Sequence, residues 1–255
     1  MEIILIALFG LIFGSFLNVV IYRLPKDLSI VGPRSYCVHC KKKINFYDNI
    51  PIISYILLRG KCRYCKQKIS WRYPFIEVLT AALLVAFYLR YGLTEEWILS
   101  SVLTLFLIPI SIIDIDEGII PNKLVFPCLI IGIFFVLLLQ FETILNSLLG
   151  AVTGGIFFLI LSLVGKFLFK KESIGAGDGK LFITVGFYIG LAGFLLSFFF
   201  IGLLSGLFVI IGLTAKKIKF GETIPFGPFI ALSTIIVKLF FNGVDITNSV
   251  LMNLL

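Results

Sequence analysis

The chain has 255 residues, 59% of them hydrophobic and only 14% charged, with a mean hydropathy of +1.09 and a formal net charge of +8. A soluble domain of this length would carry about 25% charged residues, so a soluble globular fold is excluded. Apolar runs long enough to cross a bilayer recur along the chain, which predicts an all-α polytopic membrane protein.

The first run, residues 3–22, lacks a basic n-region and a small-residue cleavage site, and reads as a retained span rather than a secretory signal. Within it, Gly10-x-x-x-Gly14 allows close helix approach, and Asn18 is placed to hydrogen-bond to a neighbouring helix. Seven further helices are expected at about 74–91, 97–113, 120–139, 143–169, 179–190, 192–213 and 225–241. Local chemistry sets the breaks: Gly92 with Thr94-Glu95-Glu96, the stretch Asp114 to Pro121, a tight return at Gln140-Phe141-Glu142, Lys170 to Gly179, and Lys216 to Thr223. The sixth of these eight helices is short and runs into Gly190, so a re-entrant or tilted segment there would change the number of crossings. Gly150-x-x-x-Gly154 is a second close-packing motif.

Twelve of the 22 Lys and Arg residues fall between Arg23 and Arg72, in the only long polar loop. The positive-inside rule makes this loop cytoplasmic and puts the N-terminus outside. With that orientation every basic residue except Arg90 and Lys238 lies at a cytoplasmic end. The basic loop also suits anionic lipid headgroups. Nothing in it resembles a nucleic-acid recognition element, so no nucleic-acid partner is expected. The organisation read from this pattern is a first span (1–22), a cytoplasmic cysteine loop (23–73) and a membrane segment carrying the chemistry (74–255).

The loop holds Cys37-Val38-His39-Cys40 and Cys62-Arg63-Tyr64-Cys65, each followed by a similar tail, Lys-Lys-Lys-Ile or Lys-Gln-Lys-Ile. Two CxxC knuckles 21 residues apart predict a tetrahedral four-cysteine zinc site. Disulfides are the competing reading, but cytoplasmic thiols stay reduced. Four protein ligands close the coordination sphere, so the metal's role is structural, supplying folding energy to a short loop. His39, the only histidine, lies between two ligands and is expected to face solvent. Cys128 reads as an apolar packing residue.

Ionisable groups within membrane-grade sequence are costly and point to function. Asp114 closes the third span and Asp178 opens the sixth, within Gly175-Ala176-Gly177-Asp178. The two intervening spans return the chain to the same side, so both carboxylates share one depth. Two close carboxylates share a proton, leaving one acid and one base to activate water and protonate a peptide carbonyl. Gly175 and Gly177 would let a substrate strand approach Asp178 closely. Asp116 and Glu117 compete for the first role, and periodicity alone does not choose among them. Glu77 enters the second span near the cytoplasmic surface, where it would bind an incoming positive N-terminus or leader, or pair with a basic loop residue.

At these residues the chain resembles the bacterial type IV prepilin leader peptidases, membrane aspartic proteases of the GxGD type. The resemblance rests on ordered motifs along most of the chain. They are Gly14-Ser15-Phe16-Leu17-Asn18 through Arg23-Leu24-Pro25, the tetracysteine loop, Arg72-Tyr73-Pro74-Phe75-Ile76-Glu77, Asp114 with Ile120-Pro121-Asn122, the GxGD turn, and Ile224-Pro225-Phe226-Gly227-Pro228-Phe229. The family pattern places its first catalytic aspartate seven residues before that proline, which implies Asp114, and its second in GxGD, which implies Asp178. The departures are small: Ala176 stands where glycine is common, and Val38-His39 replaces a proline-containing knuckle. The resemblance implies cleavage of a short basic leader from prepilins, pseudopilins or competence pilins at the cytoplasmic face of the bacterial inner membrane. It also implies N-methylation of the new N-terminus with S-adenosylmethionine, although no soluble-type glycine-rich nucleotide fingerprint is present. The alternatives are a polytopic transporter, which would place ionisable groups near the bilayer midplane, and a zinc-bearing scaffold of a pilus or secretion machine, which leaves Asp114 and Asp178 unexplained.

Overall fold

The computed structural model describes residues 1–139, 144–169, 175–217 and 223–241. The described residues are overwhelmingly helical and contain no β-strand beyond isolated bridges. The α-helices are α1 (Glu2–Arg23), α2 (Ile53–Leu57), α3 (Arg72–Tyr91), α4 (Glu95–Glu117), α5 (Asn122–Leu139), α6 (Ile144–Phe169), α7 (Ala176–Thr214) and α8 (Gly227–Phe240). Five of them, α1, α3, α4, α6 and α7, are long and apolar enough to cross a membrane, while α5 and α8 are shorter apolar helices. The protein is therefore an all-α polytopic membrane protein. The return expected at Gln140-Phe141-Glu142 lies outside the described residues.

The expected sixth and seventh helices meet at a kink within α7, at the expected position. α7 has 39 residues and is interrupted at Gly190, whose backbone (φ 69°, ψ −176°) is not helical. At about 1.5 Å per residue, the part before the break is about 21 Å long, short of the roughly 30 Å hydrocarbon core. Gly190 is required by its positive φ, and a Cβ there would also overlap Asn146 of α6. The break leaves an unsatisfied donor, and Asn146 Oδ1 accepts the Leu191 N–H at 3.1 Å.

The chain divides into two compact units, Met1–Trp97 and Ile98–Leu255. In the first, α1 lies along α3. A Cβ built on Gly10 would come within 2.5 Å of Ala81 Cα, and one on Gly14 within 2.6 Å of Glu77 Cα. The small-residue stripe of α1 thus meets Glu77 and Ala81, four apart on one face of α3. Asn18 crosses the seam, donating to the Gly14 carbonyl (3.2 Å) and to the Tyr73 carbonyl of α3 (3.1 Å). At the end of α1, buried Arg23 donates to the carbonyls of Ser29 (2.9 Å) and Pro33 (2.7 Å), tying down the start of the loop.

In the second unit α7 packs against α5, α6 and α8. Gly150 and Gly186 meet backbone to backbone, since a Cβ on either would overlap the other's carbonyl. Phe157, Phe182, Phe194 and Phe198 form a cluster with ring centroids 4.4–6.3 Å apart. The hydroxyls of Ser197 on α7 and Ser233 on α8 hydrogen-bond at 2.9 Å.

Candidate active site and metal centre

The two CxxC motifs fold as near-identical knuckles. In the first, the Cys37 N–H donates to the Lys42 carbonyl and the Lys41 N–H to the Cys37 carbonyl, both at 2.9 Å. In the second, Cys62 donates to Gln67 at 2.9 Å and Lys66 to Cys62 at 3.0 Å. Lys41 and Lys66 both adopt φ 58°. Antiparallel bridges Tyr36–Lys43 and Lys61–Lys68 close each turn. The octapeptide repeat in the sequence is therefore a repeat of backbone geometry. Arg63 of the second knuckle clamps Asp48 in a bidentate pair at 2.8 and 2.6 Å.

These turns bring the sulfurs of Cys37, Cys40, Cys62 and Cys65 within 4.8 Å of one another. None of the cysteines is in a disulfide. Cys37 Sγ and Cys65 Sγ lie 3.8 Å apart, about the edge of a tetrahedron whose metal–sulfur bonds are about 2.3 Å. The Cys65 N–H, directed at the Cys62 sulfur, holds that thiol down at about 7 against the effect of burial. The donor set can hold one metal ion. His39 contributes no ligand to the cluster.

Glu77 is buried on α3. Its carboxylate accepts the Ile52 N–H at 2.8 Å and bonds the Ser15 side chain. The group held is a backbone amide of the loop rather than a basic side chain. Ile52 has φ 60°, a strained conformation for a β-branched residue, and the bond to Glu77 pins that turn.

In the second unit Asp114 sits on the last turn of α4 and is buried, whereas Asp116 and Glu117 are exposed. The Gly227 N–H at the start of α8 donates to Asp114 Oδ2 at 2.7 Å, and the Phe226 backbone also bonds this carboxylate. Asp178 lies in the first turn of α7 and accepts the N–H of Gly175, the helix N-cap, at 3.1 Å. Both carboxylates are thus held by helix N-termini, where backbone donors and the dipole suit an anion. The charge of Asp114 also acts on Asp178.

The segment after Asp114 carries the GxGD turn. A Cβ on Gly177 would come within 2.9 Å of Ile120 Cβ, so the turn rests directly on Ile120. Lys180 donates to Asn122 Oδ1 at 3.0 Å. The Ile120-Pro121-Asn122 motif is therefore the platform on which Asp178 is mounted. Gly227 is a site residue that sequence reasoning quoted only as part of a motif. Its signal was the Phe-Gly-Pro start of a helix, which marks an N-terminus with free N–H groups.

These features define a polytopic membrane protein with a metal-competent tetracysteine loop and two aspartates held at helix N-termini. Residues 8–91 match the bacterial peptidase A24 N-terminal domain, and residues 101–211 match the type IV leader peptidase family. The chain is 41% identical over 180 residues to a prepilin leader peptidase/N-methyltransferase of Myxococcus xanthus, a match covering 71% of this chain and 54% of that relative. Proteins of the same name from Neisseria gonorrhoeae (35% over 253 residues; 90% of this chain, 87% of the relative) and Bacillus subtilis (31% over 244 residues; 93% and 94%) match nearly end to end. The chain belongs to the type IV leader peptidase family. No solved structure matches it.

Proposed function

We propose that this chain is a membrane aspartic endopeptidase that removes the short basic leader of type IV prepilins, pseudopilins or competence pilins and then N-methylates the new terminus. The observation that supports this reading is the seating of the Asp178 turn on Ile120, six residues after Asp114, in a chain that belongs to the leader peptidase family. One carboxylate, as base, takes a proton from water while the water oxygen attacks the scissile carbonyl carbon. The other, as acid, protonates the carbonyl oxygen. Collapse of the tetrahedral adduct breaks the C–N bond, and the departing amine takes up a proton. Gly175 leaves room for an extended substrate at Asp178, Gly177 seats the turn on Ile120, and Gly227 fixes the Asp114 carboxylate.

The loop 23–73 is assigned as a structural zinc module held by Cys37, Cys40, Cys62 and Cys65, preceding the peptidase segment 74–255. S-adenosylmethionine supplies an electrophilic methyl group for the second reaction. The basic loop sets the orientation in the bacterial inner membrane: N-terminus outside, chemistry at the cytoplasmic face beside anionic headgroups. No nucleic-acid partner is assigned.

Mass spectrometry of the N-terminus of a co-expressed prepilin tests both activities together. Loss of the leader and the mass of one added methyl group on the new terminal residue are expected with this chain and neither without it. An unprocessed pilin beside correctly inserted enzyme would overturn the reading and return the scaffold and transporter alternatives.

A further inference from the structure

Inside the first unit lies a cavity of about 430 Å³, between the tetracysteine loop and the loop-facing ends of α1 and α3. Its volume falls in the range of small-molecule sites, roughly 300–1,000 Å³. Five of the nine tyrosines of the chain line it: Tyr22, Tyr36, Tyr55, Tyr64 and Tyr73. All five belong to the first unit, and they surround a single space.

The cavity also holds two buried charges of opposite sign. Glu77 is 7% exposed, and its partners are a backbone amide and a serine hydroxyl. Arg23 is 5% exposed, and its hydrogen bonds go to backbone carbonyls, with the Tyr36 ring 5.8 Å away. Arg63 and Asp48 line the same cavity and pair with each other. Buried charges are expensive unless met by opposite charge. A ligand that completes this cavity carries a cation for Glu77, an anion for Arg23 and a flat ring system for the tyrosines.

We infer that this cavity is the binding site for the methyl donor, an amino-acid sulfonium joined to a nucleoside. Its sulfonium and ammonium groups meet the Glu77 carboxylate, its carboxylate meets Arg23, and its purine stacks among the tyrosine rings. The inference rests on the methyltransferase half of the proposed function and adds where the donor sits and which side chains hold it. It also gives the loop a second task, since the knuckles that bind metal supply part of the cavity wall, through Cys37, Cys62 and Tyr64.

The test uses the full chain in nanodiscs with its zinc content measured. Methyl-labelled S-adenosylmethionine is cross-linked by ultraviolet light and the labelled peptides are mapped, with equilibrium binding measured alongside. Label is expected within residues 15–77. Val19→Trp, which fills the cavity from α1, is expected to abolish binding, and Glu77→Gln to weaken it at least tenfold, with zinc content and helicity retained. If the wild-type chain binds and transfers methyl but the label falls outside 15–77, the inference fails and the proposed function stands. The inference fails equally, with the proposed function intact, if both folded variants bind as the wild type does. If the wild-type chain neither binds the donor nor methylates a cleaved pilin, both fail. The mapping on unmodified protein decides the matter even where a variant does not fold.

Discussion

The backbone N–H of Gly227 lies 2.7 Å from Asp114 Oδ2, joining residues 113 positions apart in the chain. The first turn of α8 thereby aims its free donors at the end of α4. The absence of a Cβ at Gly227 is what permits this, because an added methyl would sit 2.9 Å from the same oxygen.

Gly227→Ala is accordingly expected to lower leader cleavage by about 10²-fold, since a displacement of about 1 Å at a reacting group has that effect. The check is kcat on a prepilin substrate alongside zinc content and helicity. Full activity in a well-folded variant would show that the contact does not position the carboxylate.

Asp114→Asn and Asp178→Asn are each expected to reduce cleavage by at least about 10²–10⁴-fold, because acid and base are both required. Combining the two should cost little beyond either alone, as befits residues acting as one unit. Asp116→Asn, at an exposed neighbour on the same helix end, should retain most activity. Processing of a co-expressed pilin reads all four variants, and strong loss in Asp116→Asn alone would move the assignment.

Elemental analysis should find one zinc per chain, falling to near zero in Cys37→Ser or Cys62→Ser. Because metal binding is folding energy for a loop this small, protease cleavage and amide exchange within residues 23–71 should rise sharply on metal loss. Amides of the second unit should be largely unchanged. Normal protection of the loop in metal-free protein would remove the structural role.

Gly14→Val places a branched side chain where even a Cβ would lie 2.6 Å from Glu77 Cα. The seam between α1 and α3 must open, at a cost of at least about 1–3 kcal/mol. A lowered thermal midpoint of the purified protein is the measurement. Gly202→Ala, where an added Cβ meets nothing within 4 Å, serves as the silent control.

Much of this architecture was legible in the sequence because its punctuation is chemical. Gly92, the Asp114–Pro121 stretch and Gly190 interrupt apolar runs with residues that have a definite backbone preference, and the helices begin and end beside them. The cysteine knuckles were legible for the same reason, as an octapeptide repeat carries its turn geometry with it. What remained hidden depends on which face of a helix meets which neighbour. In a nearly uniform apolar helix such as α5 the side chains carry no record of orientation. The choice between Asp114 and Asp116 therefore needed the family spacing, and in the fold it shows as burial of one beside exposure of the other. The partner of Glu77 was hidden too. A basic side chain was one expectation, and the group found is the amide of Ile52, which no composition argument singles out. The roles of Gly227, and of Ile120 as the seat of Gly177, are tertiary contacts between segments distant in the chain.

The interruption at Gly190 divides α7 into a short first segment and a longer second one. With Asn146 quenching the stray amide at Leu191, the segment carrying Asp178 becomes a stub articulated on a longer rod. Such a joint can set the depth of the second aspartate independently of the rod's own tilt. Lengthening or shortening the stub by one turn would raise or sink that carboxylate by about 5.4 Å, leaving the rest of the bundle in register.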